Sequence, residues 1–153
     1  MTHFSAFDHA MMRRALVLAE RGLYTTTPNP RVGCVLAKEQ AIVGEGWHQK
    51  AGGPHAEVLA LEKAGAHAAD ATLYVNLEPC NHHGRTPPCV DALKKSKIGR
   101  VVAAMRDPNP EAAHGGEALE ADASGGEPLP AVRRLGIRVE HRRDHPYHFG
   151  SHY

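Results

Sequence analysis

The sequence predicts an α/β protein of three layers, α/β/α, with helices on both faces of a central mixed sheet of about five strands. Two observations lead to this prediction. Short apolar or β-branched runs alternate with helical patterns along the chain, and two of these runs lie close enough together to form an antiparallel hairpin. The length of 153 residues suits one compact domain, which we assign to residues 1–141.

The first three elements are a helix and a hairpin. Apolar residues recur at helical spacing after Ser5, which forms an N-cap pattern with Asp8, and Gly22 stands where the helix would end. The apolar runs 32–37 and 41–47 are separated only by a short polar stretch, so they read as paired strands.

The remaining elements alternate between helix and strand. Residues 54–64 form the next helix, because Pro54 favours a first helical turn. The apolar run 71–77 is a buried strand, residues 87–95 are a helix, and the β-branched run 100–105 is a strand. Residues 137–141 give the last strand.

The C-terminal part of the chain shows weaker patterns. Residues 111–131 are rich in Ala, Gly, Glu and Pro, and we expect a mobile excursion with a short helix at 117–123. The polar tail, residues 142–153, should be loosely held. Four histidines lie in this tail or directly before it, at steps of four, three and four: His141, His145, His148 and His152. On a continuous helix they would share one face and could bind a second metal. Pro146 and Gly150 interrupt that spacing, so we favour a flexible tail.

The overall charge and the residue content narrow the possible functions. A formal net charge of +1 argues against a protein that grips long nucleic acid, and no stretch is apolar enough for a signal peptide or a membrane span. We therefore expect a cytoplasmic protein with no membrane and no nucleic-acid partner. Twelve histidines and three cysteines point to metal or acid–base chemistry in a reducing compartment.

One His and two Cys residues have the spacing of a metal site. His55 follows Pro54 within His-Ala-Glu, Cys80 follows a proline, and Cys89 comes after eight further residues. Three such ligands suit zinc and leave the fourth tetrahedral position open to water, as in catalytic sites. Each residue alone could be an ordinary core side chain. Cys34 lies in an apolar strand and is assigned to packing.

Glu57 belongs with these ligands because a nearby carboxylate is needed to take a proton from an activated water and pass it on. His55 and Glu57 are expected in the first turn of a helix, where the macrodipole favours the ionised carboxylate. Cys89 is expected at another helix start, which should lower its thiol pKa. Two helix N-termini would then converge on one metal.

Six segments within residues 5–110 carry a more specific pattern. They are Thr27-Pro-Asn-Pro-Arg-Val-Gly-Cys-Val-Leu36, Gly44-Glu-Gly-Trp-His48, Gly53-Pro-His-Ala-Glu57, Leu77-Glu-Pro-Cys80, His83-Gly-Arg-Thr-Pro-Pro-Cys89 and Asp107-Pro-Asn-Pro110. Together they resemble the diaminohydroxyphosphoribosylaminopyrimidine deaminases of riboflavin biosynthesis, in the cytidine-deaminase-like superfamily. The longer loop between the cysteines favours this branch, since the generic deaminase signature has two residues there. The chain departs from the family after Pro110, where it is extended.

This resemblance implies a role for each matched residue. It implies one Zn²⁺ per chain held by His55, Cys80 and Cys89, with Glu57 as the catalytic proton shuttle. Arg85 suits a phosphate through its bidentate geometry, although it could be a solvated loop residue. Asn29, Asp107 and Asn109 could equally be turn formers. The substrate-binding positions that the resemblance implies are Asn29, His48, His82, Arg85, Asp107 and Asn109.

The implied reaction is the zinc-dependent hydrolytic deamination of a small phosphorylated pyrimidine. A homo-oligomer is implied as well, and the length suggests that a separate reductase acts on the product. Two alternatives stay open: a zinc deaminase of another nucleobase, nucleoside or RNA, and a catalytically silent zinc-bearing partner of a reductase. Glu57 favours an enzyme, since a silent scaffold has no need of a carboxylate beside the metal.

Overall fold

A computed structural model describes residues 4–22, 26, 30–80 and 88–104, together with the backbone of residues 138–139. A short 3-10 helix, Gly65–Ala68, joins the second helix to the third strand. The helices and strands, in chain order, are α1 (Ala6–Glu20), β1 (Gly33–Lys38), β2 (Ala41–Trp47), α2 (Ala56–Ala64), β3 (Thr72–Val75), α3 (Cys89–Lys95), β4 (Arg100–Ala103) and β5 (Arg138–Val139). The predictions for residues 111–131 and for the tail lie outside the described residues.

The sheet has five strands in the order β2-β1-β3-β4-β5. Strand β1 runs antiparallel to both of its neighbours, whereas β3, β4 and β5 are parallel to one another. A bulge interrupts the pairing of β1 with β2 between Leu36 and Ala37. The mixed sheet and its strand number are therefore as predicted.

Helices pack on both faces of this sheet. On one face, α1 covers Val35, Tyr74 and other side chains of the central strands. On the opposite face, the cluster that includes Leu36 and Leu73 packs against small residues of α2 and apolar residues of α3. Alternate residues of each strand thus enter two separate cores, and the three-layer prediction is confirmed.

Two glycines of β2 let helix α2 lie directly on the sheet. A Cβ atom at Gly46 would stand 2.4 Å from the carbonyl oxygen of Ala56, and one at Gly44 would stand 2.4 Å from that of Ala60. Both distances are far below van der Waals contact, so only glycine fits. Because Ala56 is the first residue of α2, the contact at Gly46 fixes where that helix begins.

A partly buried ion pair ties α1 to two central strands of the sheet. The Asp8 carboxylate accepts hydrogen bonds from the Tyr74 hydroxyl at 2.6 Å and from the Arg100 guanidinium at 3.1 Å, and Ser5 closes a capping box with Asp8. Burial alone would raise the pKa of Asp8, but the bonds from Arg100, Tyr74 and the Ser5 backbone lower it to about 2. The network fastens α1 to β3 and β4.

Within the described part of the chain, no helix combines the length and the apolar character that crossing a membrane requires.

Candidate metal and catalytic site

The first part of the site is the start of α2. His55 is the N-cap of this helix, with extended backbone angles and no side-chain capping bond, so its imidazole nitrogens are not used by the helix. This corrects the expectation that His55 lies in the first helical turn: the helix begins one residue later, at Ala56. Glu57, the second helical residue, does lie in that turn.

The second part is the start of α3, which begins at Cys89 and not at residue 87 as predicted, so that Cys89 stands at the helix start as expected. Its N-cap, Pro88, makes no side-chain capping bond, and Cys80 supplies the missing acceptors. The Cys89 N–H donates to the Cys80 sulfur at 3.3 Å, and the Val90 N–H donates to the Cys80 carbonyl at 3.2 Å. Since the first N–H groups of a helix need partners, these two hydrogen bonds hold Cys80 against the N-terminus of α3.

The two helix starts bring three ligand atoms together. His55 Nδ1 lies 3.1 Å from the Cys89 sulfur and 3.6 Å from the Cys80 sulfur. All three donor atoms lie within 4.8 Å of one another. A tetrahedral zinc with ordinary bond lengths spaces a nitrogen and a sulfur ligand about 3.6 Å apart. The donor set and its spacing therefore fit zinc, with Nδ1 as the nitrogen that faces the metal.

The pKa values of the two thiols are shifted in opposite directions. The hydrogen bond from the Cys89 thiol lowers the pKa of Cys80, and the bonds to His55 and to the Cys89 N–H act in the same direction. The bond to Cys80, with burial, raises the pKa of Cys89. The sequence prediction that the helix start lowers the pKa of Cys89 is thus wrong: the bond to Cys80 and burial raise it, and the N–H exposed at that start acts on the Cys80 sulfur instead.

Glu57 lies beside the ligand atoms and is buried, with 3% of its surface exposed. Its Oε2 accepts from the Cys89 thiol at 3.4 Å. Burial raises the pKa of Glu57, and it outweighs the helix start that was expected to favour the ionised form. A carboxyl group with a raised pKa next to a metal position can both accept and return a proton.

His48 packs directly on the ligand His55. The two rings meet edge to face with centroids 5.6 Å apart, and His48 is 4% exposed. Its Nδ1–H donates to the Pro54 carbonyl at 3.0 Å, which fixes the ring orientation. It is the one predicted substrate-binding residue within the described part of the chain, and its ring lies against the ligand group.

The other predicted residues fall in two groups. Cys34 is fully buried in the core that faces α2, in keeping with its assignment to packing. The five remaining predicted substrate contacts lie outside the described residues: Asn29, His82, Arg85, Asp107 and Asn109.

Sequence reasoning missed Asn76. Its carboxamide accepts from the Gly33 N–H and donates to the Arg31 carbonyl, each at 2.9 Å. The available signal was its place, at the end of a buried strand and four residues before a metal ligand.

Comparison with known families gives a match over the part of the chain that holds this site. Residues 5–105 match the model described as the cytidine and deoxycytidylate deaminase zinc-binding region. Among solved structures, Acinetobacter baumannii RibD, form 1, superposes with a TM-score of 0.72 at 53% identity, covering 75% of this chain and 33% of that one.

Named relatives agree with this match. The riboflavin biosynthesis protein RibD of Escherichia coli is 54% identical over 88% of this chain and 33% of its own length. A diaminohydroxyphosphoribosylamino-pyrimidine deaminase of Buchnera aphidicola is 57% identical over 68% of this chain and 71% of its own length. The chain spans about a third of the RibD relatives that it matches.

Proposed function

Because this chain belongs to the zinc-binding cytidine and deoxycytidylate deaminases, in the branch of riboflavin biosynthesis, we propose that it is a zinc-dependent aminohydrolase. Its substrate is 2,5-diamino-6-ribosylamino-4(3H)-pyrimidinone 5′-phosphate. Its products are 5-amino-6-ribosylamino-2,4(1H,3H)-pyrimidinedione 5′-phosphate and ammonia. The observation that carries the proposal is the buried Glu57 carboxyl beside a His/Cys/Cys ligand group.

His55, Cys80 and Cys89 hold the zinc ion, one per chain. When bound, zinc supplies a Lewis acid that makes a water molecule acidic near neutral pH. The hydrogen bonds from α3 to Cys80 orient this ligand before any metal arrives.

Glu57 moves the protons of the reaction. Its Oε2 takes a proton from the water that attacks C2 of the pyrimidine and passes it to a ring nitrogen. It then takes the second proton from the hydroxyl now on C2 and gives it to the amine, which leaves as ammonia as the C2–N bond breaks and the C2 carbonyl forms. Burial supports this role, because a carboxylate with a raised pKa takes up a proton more readily than an exposed one. A silent scaffold would gain nothing from a buried carboxyl group that costs stability at this position.

Substrate contacts are assigned to six residues. Arg85 binds the phosphate, for which its planar guanidinium offers two parallel donors. His48 closes the side of the site next to His55, and the edge-to-face contact of the two rings supports this assignment. The pyrimidine and the ribose are contacted by the remaining four: Asn29, His82, Asp107 and Asn109.

The partners follow from the same assignment. The product is the substrate of a reductase. The enzyme works in the cytoplasm as a homo-oligomer, without a membrane or nucleic-acid partner.

Ammonia release from a panel of substrates tests the proposal. The zinc-loaded protein is offered the pyrimidine phosphate, its dephosphorylated counterpart, cytosine, guanine and cytidine at equal concentrations. We expect release from the phosphorylated pyrimidine, with a lower kcat/KM for every other compound. A preference for a compound without phosphate would contradict the role of Arg85 and favour a deaminase of another base. No release from any compound, at one zinc per chain, would favour a silent zinc-bearing subunit.

A further inference from the structure

The pairing of β1 with β3 ends in an unusual way. The regular ladder runs from the pair Ala37 and Thr72 to the pair Cys34 and Val75. The next pair would be Gly33 and Asn76, but the Asn76 N–H reaches the Gly33 carbonyl only at 3.4 Å. The backbone after Val75 leaves the sheet here and continues towards Cys80.

The side chain of Asn76 takes over where its backbone leaves. Its Oδ1 accepts from the Gly33 N–H and its Nδ2 donates to the Arg31 carbonyl, each at 2.9 Å. In an extended chain, the N–H of one residue and the carbonyl two residues earlier point to the same side. A carboxamide offers one acceptor and one donor group, so it pairs with both as a neighbouring peptide group would.

The opposite side of the same segment is held by a residue of the site. The Val32 carbonyl, which points away from Asn76, accepts from the His48 N–H at 2.8 Å. Residues 31–33 are therefore fixed between His48, whose ring packs on His55, and Asn76, which precedes Cys80 by four residues. Asn29, to which we assign a substrate contact, is two residues before Arg31 in the sequence.

We infer that Asn76 is a positioning residue, whose carboxamide holds the segment that follows Asn29 in register with the segment that leads to Cys80. The inference rests on the proposed function and adds a residue to its substrate-binding machinery. Cys80 is held independently by the two N–H groups at the start of α3. Loss of the carboxamide should therefore weaken substrate binding and leave zinc binding intact.

Two substitutions separate the two hydrogen bonds. Asn76→Asp keeps an acceptor for the Gly33 N–H but turns an oxygen towards the Arg31 carbonyl, so one bond becomes a repulsion. Asn76→Leu has a similar volume and keeps neither bond. Thr72→Val, at the opposite end of the same strand, is the matched control for a general weakening of β3.

Four properties are measured for the wild type and each variant: zinc per chain after dialysis, the thermal midpoint, kcat and KM for the pyrimidine phosphate, and Kd for the deamination product by calorimetry. We expect KM and product Kd to rise roughly tenfold in Asn76→Asp, and further in Asn76→Leu. Zinc should stay near one per chain, and kcat should change much less than KM, because the lost interaction holds substrate and transition state alike. Thr72→Val should keep wild-type KM and Kd.

The inference is overturned if KM and product Kd stay at wild-type values in Asn76→Asp. Because this is the milder substitution, its result tests the inference even if Asn76→Leu fails to fold. It is also overturned if zinc content falls in step with activity, since Asn76 would then serve the metal. Equal effects in Thr72→Val would reduce its role to strand stability. A wild-type protein that neither binds the product nor releases ammonia would instead refute the proposed function.

Discussion

Substituting Gly46 by alanine tests how closely the metal site depends on the contact between β2 and α2. The new Cβ would lie 2.4 Å from the Ala56 carbonyl oxygen, 2.9 Å from the Ala60 nitrogen and 3.0 Å from the Leu59 Cβ. Ordinary contact begins near 3.4 Å, so the Ala56 carbonyl oxygen, and with it the first turn of α2, must move about 1.0 Å away from the new Cβ. Ala56 is flanked by His55 and Glu57, which must move with it.

The size of the effect follows from this displacement. Overpacking of a close helix–sheet contact costs about 1–3 kcal/mol of unfolding free energy. Metal–ligand distances tolerate only about 0.2 Å of error, which is much less than the required movement. We therefore expect Gly46→Ala to weaken zinc binding at least tenfold, by roughly 1.4 kcal/mol.

Gly44→Ala is the matched control, since its Cβ would meet the Ala60 carbonyl at the same 2.4 Å, one turn further along α2. Unfolding is followed in urea by far-ultraviolet circular dichroism with a chelator present, and zinc affinity by competition with a chromophoric chelator. Both variants should lose similar stability, and only Gly46→Ala should lose zinc affinity. Wild-type stability in Gly46→Ala, or an equal loss of zinc affinity in both, would refute the reasoning.

Three further predictions concern the ion pair, the hairpin and the ligand set. The folded-state pKa of Asp8 is lowered to about 2 from 3.8, so its contribution is fully present above about pH 4 and is lost as the pH falls towards 2. Asp8→Asn should lower the unfolding free energy at pH 7 by roughly 1–3 kcal/mol and make it fall less steeply below about pH 4. Urea titrations at several pH values measure both effects. A loss of stability below pH 4 that is as steep as in the wild type would contradict this prediction. The turn residues Glu39 and Gln40 have φ of 52° and 62°, so the double change to Asn-Gly should raise the unfolding free energy by about 1 kcal/mol, and no rise in thermal midpoint would contradict this. Metal analysis after dialysis should find zinc lost from Cys89→Ala and retained in Cys34→Ala; zinc loss from the second would place the wrong cysteine in the ligand set.

Much of the fold could be predicted because local signals agreed with one another. The capping box at Ser5 and the glycine at position 22 mark the two ends of α1. The apolar runs and helical patterns follow one another along the chain in the same order as the observed strands and helices. The order and spacing of His55, Cys80 and Cys89 predicted the ligand group. His55 and Cys89 stand at helix starts that the preceding prolines also mark, whereas only the proline before it signals Cys80.

The parts that could not be predicted depend on contacts between distant segments. Strand β3 ends at Val75 and not at Leu77, because the Asn76 side chain replaces the next backbone pair. The proton distribution between the cysteines depends on which sulfur meets the Cys89 N–H, and sequence spacing does not give that. The raised pKa of Glu57 likewise reflects complete burial, which only the packed core determines.

Ammonia release by the zinc-loaded wild type and by Glu57→Gln, from the pyrimidine phosphate, tests the central claim most directly. The variant keeps the shape of the side chain but cannot accept the proton. The account predicts ammonia from the wild type, with about one zinc retained by the variant and its turnover reduced by roughly 10²–10⁴-fold. Equal turnover in the two proteins, or no ammonia from a fully zinc-loaded wild type, would contradict it.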